Sequence, residues 1–154
     1  MKKMMIRSLC SALIAWSAAF SLLAQADSGE QKQVFGDYEV HYMGLNSSFL
    51  QPEVAEAYGI PRSRSMGYLS ISILKKTDQP DVLESLTGKV SGNMKNLIGQ
   101  KKELQFKEIK ERDAVYYIST FRFDEEDVYK ITVQVSPEGE SRTFDVKFDQ
   151  RFYD

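Results

Sequence analysis

The 154 residues carry a formal charge of −2, with 20 Lys and Arg against 22 Asp and Glu. The chain therefore lacks the basic excess expected of a nucleic-acid or anionic-membrane binder. With one cysteine and one histidine, it cannot form an internal disulfide or a zinc centre built from several His and Cys ligands. The length suits a single domain, which at this size buries roughly two thirds of its unfolded surface and needs no covalent staple.

The first 26 residues have the layout of a secretory signal peptide. Lys2, Lys3 and Arg7 form a basic start, an apolar run extends from Leu9 to Leu23, and Ala24-Gln25-Ala26 offers small residues for cleavage. A membrane anchor is the competing reading, but the run is shorter than the roughly 20 apolar residues a spanning helix needs, and Ser11, Ser17 and Ser21 interrupt it. Cys10 sits too early in the run for lipoprotein processing. The expectation is an exported, periplasmic protein with no stable membrane span after cleavage. Residues 27–154 would form one domain. Without Lys2, Lys3 and Arg7 the basic residues fall to 17 against 22 acidic, a charge of −5.

After a polar leader, residues 27–33, the chain reads mostly as strands. Tyr38, Val40 and Tyr42 alternate with Asp37, Glu39 and His41, the period of a half-buried strand. Residues 44–50 break that alternation. Residues 51–59 read as a short helix, with Pro52 at its start, Glu53 in the first turn and Gly59 at its end. A basic loop holding Arg62 and Arg64 follows. Leu69, Ile71 and Ile73 mark the next strand, and residues 78–81 a turn. Residues 86–98 suggest one or two irregular strands. Leu104, Phe106 and Ile109 mark another.

Val115, Tyr117, Ser119, Phe121 and Phe123 form one face of a longer strand, with Tyr116 and Ile118 on the other. Residues 124–127 are a charged turn without the spaced ligands of a calcium loop. Two alternating strands, around Ile131–Val135 and Phe144–Phe148, flank the Pro137–Glu140 turn. About seven short strands and one short helix predict an all-β fold. The expectation is an immunoglobulin-like antiparallel β-sandwich; a small barrel also satisfies the pattern.

The catalytic inventory is thin. His41 is the only candidate general base, and no G-x-S-x-G elbow supplies a nucleophile for it. No cofactor or metal is expected. The distinctive stretch is 41–64, a long excursion between two regular strands, and such connections are often binding loops. Its candidate partner-binding residues are His41, Asn46, Ser47, Phe49, Leu50, Tyr58, Arg62 and Arg64. Asn46-Ser47-Ser48 also matches a glycosylation sequon. A competing structural reading has Phe49, Leu50, Val54 and Tyr58 plugging one end of the sandwich, with Asn46 bonded to backbone in a turn.

The segments His41-Tyr42, Asn46-Ser47-Ser48-Phe49-Leu50, Pro52-Glu53-Val54-Ala55, Ala57-Tyr58-Gly59-Ile60 and Arg62-Ser63, with the strand from Leu69 to Leu74, resemble the exported proteobacterial family of unknown function DUF4426. The resemblance implies a periplasmic single-domain protein without an assigned activity, and it carries no catalytic residues across. The function expected is a non-enzymatic binding or accessory domain, holding another periplasmic or envelope protein through residues 41–64 or a sheet edge. The first alternative is small-ligand or lipid binding between the sheets, suggested by Tyr116, Tyr117, Phe121, Phe123, Phe144, Phe148 and Phe152. A hydrolase using His41 is the second. Oligomeric state has no signature in the sequence.

Overall fold

A computed structural model describes residues 30–124 and 127–153. The proposed signal peptide lies outside the described residues, as do the two central residues of the acidic turn. The described chain forms two antiparallel sheets packed face to face, an immunoglobulin-like sandwich rather than a barrel. The first sheet holds β1 (Glu30–Phe35), β2 (Tyr38–Asn46), β3 (Met66–Lys76), β4 (Leu83–Leu86), β7 (Lys107–Glu111) and β8 (Ala114–Arg122). The second holds β5 (Gly88–Lys95), β6 (Lys101–Leu104), β9 (Val128–Pro137) and β10 (Phe144–Arg151). Their orders are β1-β2-β3-β8-β7, with β4 also on β3, and β10-β9-β5-β6.

Ten strands form among the described residues, against about seven expected, and the differences have local causes. The leader is half strand: Glu30–Phe35 pairs with β2 through a two-residue turn at Gly36 and Asp37. Gly36 takes φ +64° there, as the first central position of a type II′ hairpin turn requires. The strand through His41 continues to Asn46, because β3 pairs with it along its whole length. The Leu104–Ile109 strand is two strands in different sheets, β6 on β5 and β7 on β8. Both are short and lysine-bearing, as guarded edge strands often are.

The core lies between the sheets. Val40, Leu69, Ile71, Ile73, Ile131, Val133, Val135 and Val146 are almost wholly inaccessible, each contributing about 1.5–3 kcal/mol on burial. The rings that suggested a ligand cavity fill this space instead. Phe144 stacks on Phe35 and Phe148 on Tyr42, and Phe152 meets Phe121, Phe123 and Tyr129. Tyr116 is the exception and faces outward from β8.

The segment after β2 covers one end of the outer face of the first sheet. Ser47–Phe49 forms a 3-10 turn, followed by α1 (Pro52–Tyr58). Gly59 ends the helix at φ +65°. The N–H of Ile60 donates to the Ala55 carbonyl at 2.8 Å and that of Gly59 to Glu56 at 3.2 Å, a Schellman closure that also brings Ile60 against Ala55. Leu50, Ala55 and Ile60 pack on Tyr68 and Ile118 as a second, smaller cluster outside the sandwich.

Candidate functional site

Residues 41–64 divide into an internal lock, an exposed knob and one wall of a groove. Asn46 and Ser47 are the lock, and neither is a surface residue, at 1% and 0% exposed. The Asn46 side chain accepts from the Ser48 N–H at 2.9 Å and donates to the carbonyls of Arg64 and Tyr153 at 2.7 Å each. Ser47 Oγ donates to the Pro61 carbonyl at 2.9 Å and accepts from the Ser63 N–H at 3.1 Å. Two buried side chains thus satisfy the backbone of an irregular loop that no sheet can pair. Leu50 is buried with the helix cluster. This much agrees with the plug reading.

Phe49 is the knob. It is 67% exposed at the end of the sandwich, next to a loop pinned on both sides. Arg62 reaches across to donate to the Ser48 carbonyl at 2.8 Å, stiffening the backbone that carries Phe49. Arg64 is exposed beyond it. Tyr153, whose carbonyl Asn46 holds, is 63% exposed and adds a second ring at this end.

His41 and Tyr58 belong to the groove on the outer face of the first sheet. Pairing sets its floor: His41 lies opposite Ser72 and Met43 opposite Ser70 across β2 and β3, Ser70 lies opposite Ile118 across β8, and Tyr116 opposite Ile109 across β7. Alpha helix α1 closes one side through Tyr58, whose hydroxyl donates to Glu111 Oε2 at the end of β7. That bond pushes the Tyr58 phenol up to about 12, since ionising it would place two anions together. Tyr68 and Tyr116 complete the walls of a hollow of about 150 Å³. The groove continues past His41 and Tyr116 toward Leu74 and Ser85.

His41 is not a lone outward residue. Its Nε2 lies 2.8 Å from Glu39 Oε2, two positions back on the same face of β2. Glu39 is buried and also faces Lys32 at 3.4 Å. The His41 bond holds the Glu39 carboxyl below the usual carboxylate range, against burial, which pushes it up. Sequence reading put Glu39 and His41 on one face but missed Ser70, Ser72, Tyr68, Tyr116 and Glu111 as neighbours. The alternation of Tyr68, Ser70 and Ser72 was the available signal; the register joining it to His41 is not local.

No curated protein matches the chain. Among solved structures, it is similar to a DUF4426 family protein from Pseudomonas aeruginosa PAO1, with 35% identity, a TM-score of 0.68, and coverage of 82% of this chain and 97% of that one. A copper-bound variant of FetP from uropathogenic Escherichia coli is 18% identical with a TM-score of 0.57, over 81% of this chain and 95% of its own. FetP as isolated after recombinant expression in the Escherichia coli periplasm is 17% identical, with the same TM-score, over 81% and 94%. At that identity the FetP likeness shows a shared fold. The DUF4426 family model, a domain of unknown function, matches residues 32–154, and the chain belongs to that family.

Proposed function

We propose that this protein is a non-enzymatic periplasmic binding domain that holds a protein partner at the end of the sandwich displaying Phe49. The observation that carries this reading is the contrast within one loop. Asn46 and Ser47 are buried and fully bonded, while Phe49 between their anchor points stands exposed. A large ring on a pinned backbone loses little entropy on docking, the property of an interface anchor. Arg62, Arg64 and Tyr153, of residue types enriched in interfaces, are tied to the same loop through Ser48 and Asn46. Sheet-edge pairing is the weaker mode, because the four strands that end the two sheet orders, β1, β6, β7 and β10, carry lysine, and β6 and β7 are also short.

Periplasmic location rests on the basic, apolar and Ala-Gln-Ala order of residues 1–26. The expression of FetP in the periplasm accords with it. Copper is bound by a variant of FetP, and a likeness at 18% identity brings only the fold to this chain. Copper sites draw on imidazole and sulfur ligands. Here His41 is the only histidine, and no group of three or more His, Cys, Asp or Glu among the described residues is placed to hold a metal ion.

Crosslinking in native periplasm, with the wild type compared with Phe49→Ala and Arg62→Ala, tests the proposal. Circular dichroism checks that each variant is folded. A partner captured by the wild type and lost with folded Phe49→Ala supports the reading. Equal capture by wild type and Phe49→Ala removes this end of the molecule from consideration.

A further inference from the structure

The groove under α1 is separate from the Phe49 end and has its own chemistry. Three tyrosines, Tyr58, Tyr68 and Tyr116, line it from three different elements, with Ser70 and Ser72 in the floor and Glu111 at its mouth. Among the described residues, none of the three rings stacks on another aromatic ring. Tyr58 and Tyr116 are half-buried, while Tyr68 is buried against Leu50, Ala55 and Ile60 and still contributes to the lining of the hollow.

The charge at the groove is anionic. Glu111 has no Lys or Arg partner within ion-pair distance among the described residues; its recorded hydrogen bond comes from the Tyr58 hydroxyl. That bond holds one carboxylate oxygen, Oε2, beside the Tyr58 ring at the lining of the hollow. The other carboxylate nearby, Glu39, is taken by His41 and Lys32. Lys107 donates to the Tyr58 carbonyl at 3.5 Å and does not line the hollow, and His41, which does line it, is bonded to Glu39.

Aromatic faces around an uncompensated carboxylate attract a cation that has little hydration to lose, because the ring quadrupole and the carboxylate act in the same direction. A cavity of about 150 Å³ admits a group of benzene size, about six or seven heavy atoms. We infer that the Tyr58–Tyr68–Tyr116 groove binds an organic ammonium group of choline-headgroup size, with its alkylated nitrogen against the rings and its charge facing Glu111. A hydroxyl on the ligand would meet Ser70 and Ser72 in the floor.

Calorimetric titration of the purified protein with choline, and with its neutral isostere in which carbon replaces nitrogen, tests this directly. Choline is expected to bind, and the isostere at least tenfold more weakly, since only the charge differs. Glu111→Gln keeps the shape of the mouth and is expected to weaken choline about tenfold, equivalent to about 1.4 kcal/mol. Tyr116→Leu, with an unchanged circular dichroism spectrum, is expected to abolish binding. Absence of choline binding at millimolar concentration overturns the inference. So does equal affinity for the isostere, or full binding by folded Tyr116→Leu. None of these three results bears on partner capture through Phe49, so the two proposals fail independently.

Discussion

The Asn46 side-chain amide lies 2.7 Å from the backbone carbonyl of Tyr153, joining positions 107 residues apart in the chain. This bond ties the end of β2 to the segment that follows β10, so the 41–64 loop and the C-terminal residues hold one another in place. The same amide holds Arg64, and its oxygen caps Ser48. Asn46→Ala removes all three of these bonds from a part-buried site. The expected loss is about 2–3 kcal/mol, a fall in melting temperature of about 8 °C or more. A thermal melt checks it; a fall of about 2 °C or less would mean that water replaces the amide at little cost.

Gly67 on β3 faces Phe121 on β8, and a Cβ at Gly67 would be driven into that ring. The ring cannot retreat, because Phe152 packs edge-on against it at 5.1 Å between centroids. Gly67→Ala should therefore cost about 1–3 kcal/mol by overpacking, although alanine ordinarily improves on glycine in a strand. In a Phe121→Leu background the same change should become neutral or stabilising. Urea unfolding of the four proteins measures the coupling, and an equal cost in both backgrounds would sink this account.

The His41–Glu39 pair predicts a pH dependence with a definite sign. His41 holds the Glu39 carboxyl below its ordinary value of 4.5. A carboxyl depressed on folding contributes stability that is complete above its unfolded value and is lost as pH falls through its folded value. The wild type should therefore lose more stability than Glu39→Gln as the pH falls below 4.5. Urea midpoints across that range decide it; parallel curves would show that the pair contributes nothing through ionisation.

Tyr58 offers a spectroscopic check on the groove itself. Its hydroxyl donates to Glu111, and its ionisation is raised to about 12. Removing the charge in Glu111→Gln should bring it back toward 10.0. Ultraviolet titration of tyrosinate absorbance, compared with a Tyr58→Phe control to assign the transition, reads this directly. An unchanged titration would mean that α1 does not sit over β7 as described.

What was legible along the chain was whatever repeats within a few residues. Leu69, Ile71 and Ile73, and Tyr117, Ser119 and Phe121, announced their inward faces by alternation, since a strand turns successive side chains to opposite sides. Pro52 and Gly59 marked the helix ends because their backbone preferences are intrinsic. The leader was misread because Gln31, Lys32 and Gln33 are polar on both faces; only pairing with β2 makes Glu30–Phe35 a strand. The break assigned to residues 44–50 ran too early for the same reason, because β3 holds β2 straight through Asn46.

The candidate residues divide along the same line. Residues 41–64 stood out in the sequence because they interrupt a regular pattern, and that alone drew attention to Asn46, Phe49 and Arg62. Which of them face inward was decided in three dimensions, where the Asn46 and Ser47 side chains donate to the carbonyls of Pro61, Arg64 and Tyr153. Phe49 satisfies no such need and stays outside. The groove was settled later still, since Glu39, Ser72, Tyr116 and Glu111 become neighbours only through strand register and the return of α1 across the sheet. Composition and period thus determined the all-β architecture of this protein, because alternation is a property of each strand alone. The tertiary structure decided the site, because register and the satisfaction of buried polar groups join residues that no local pattern connects.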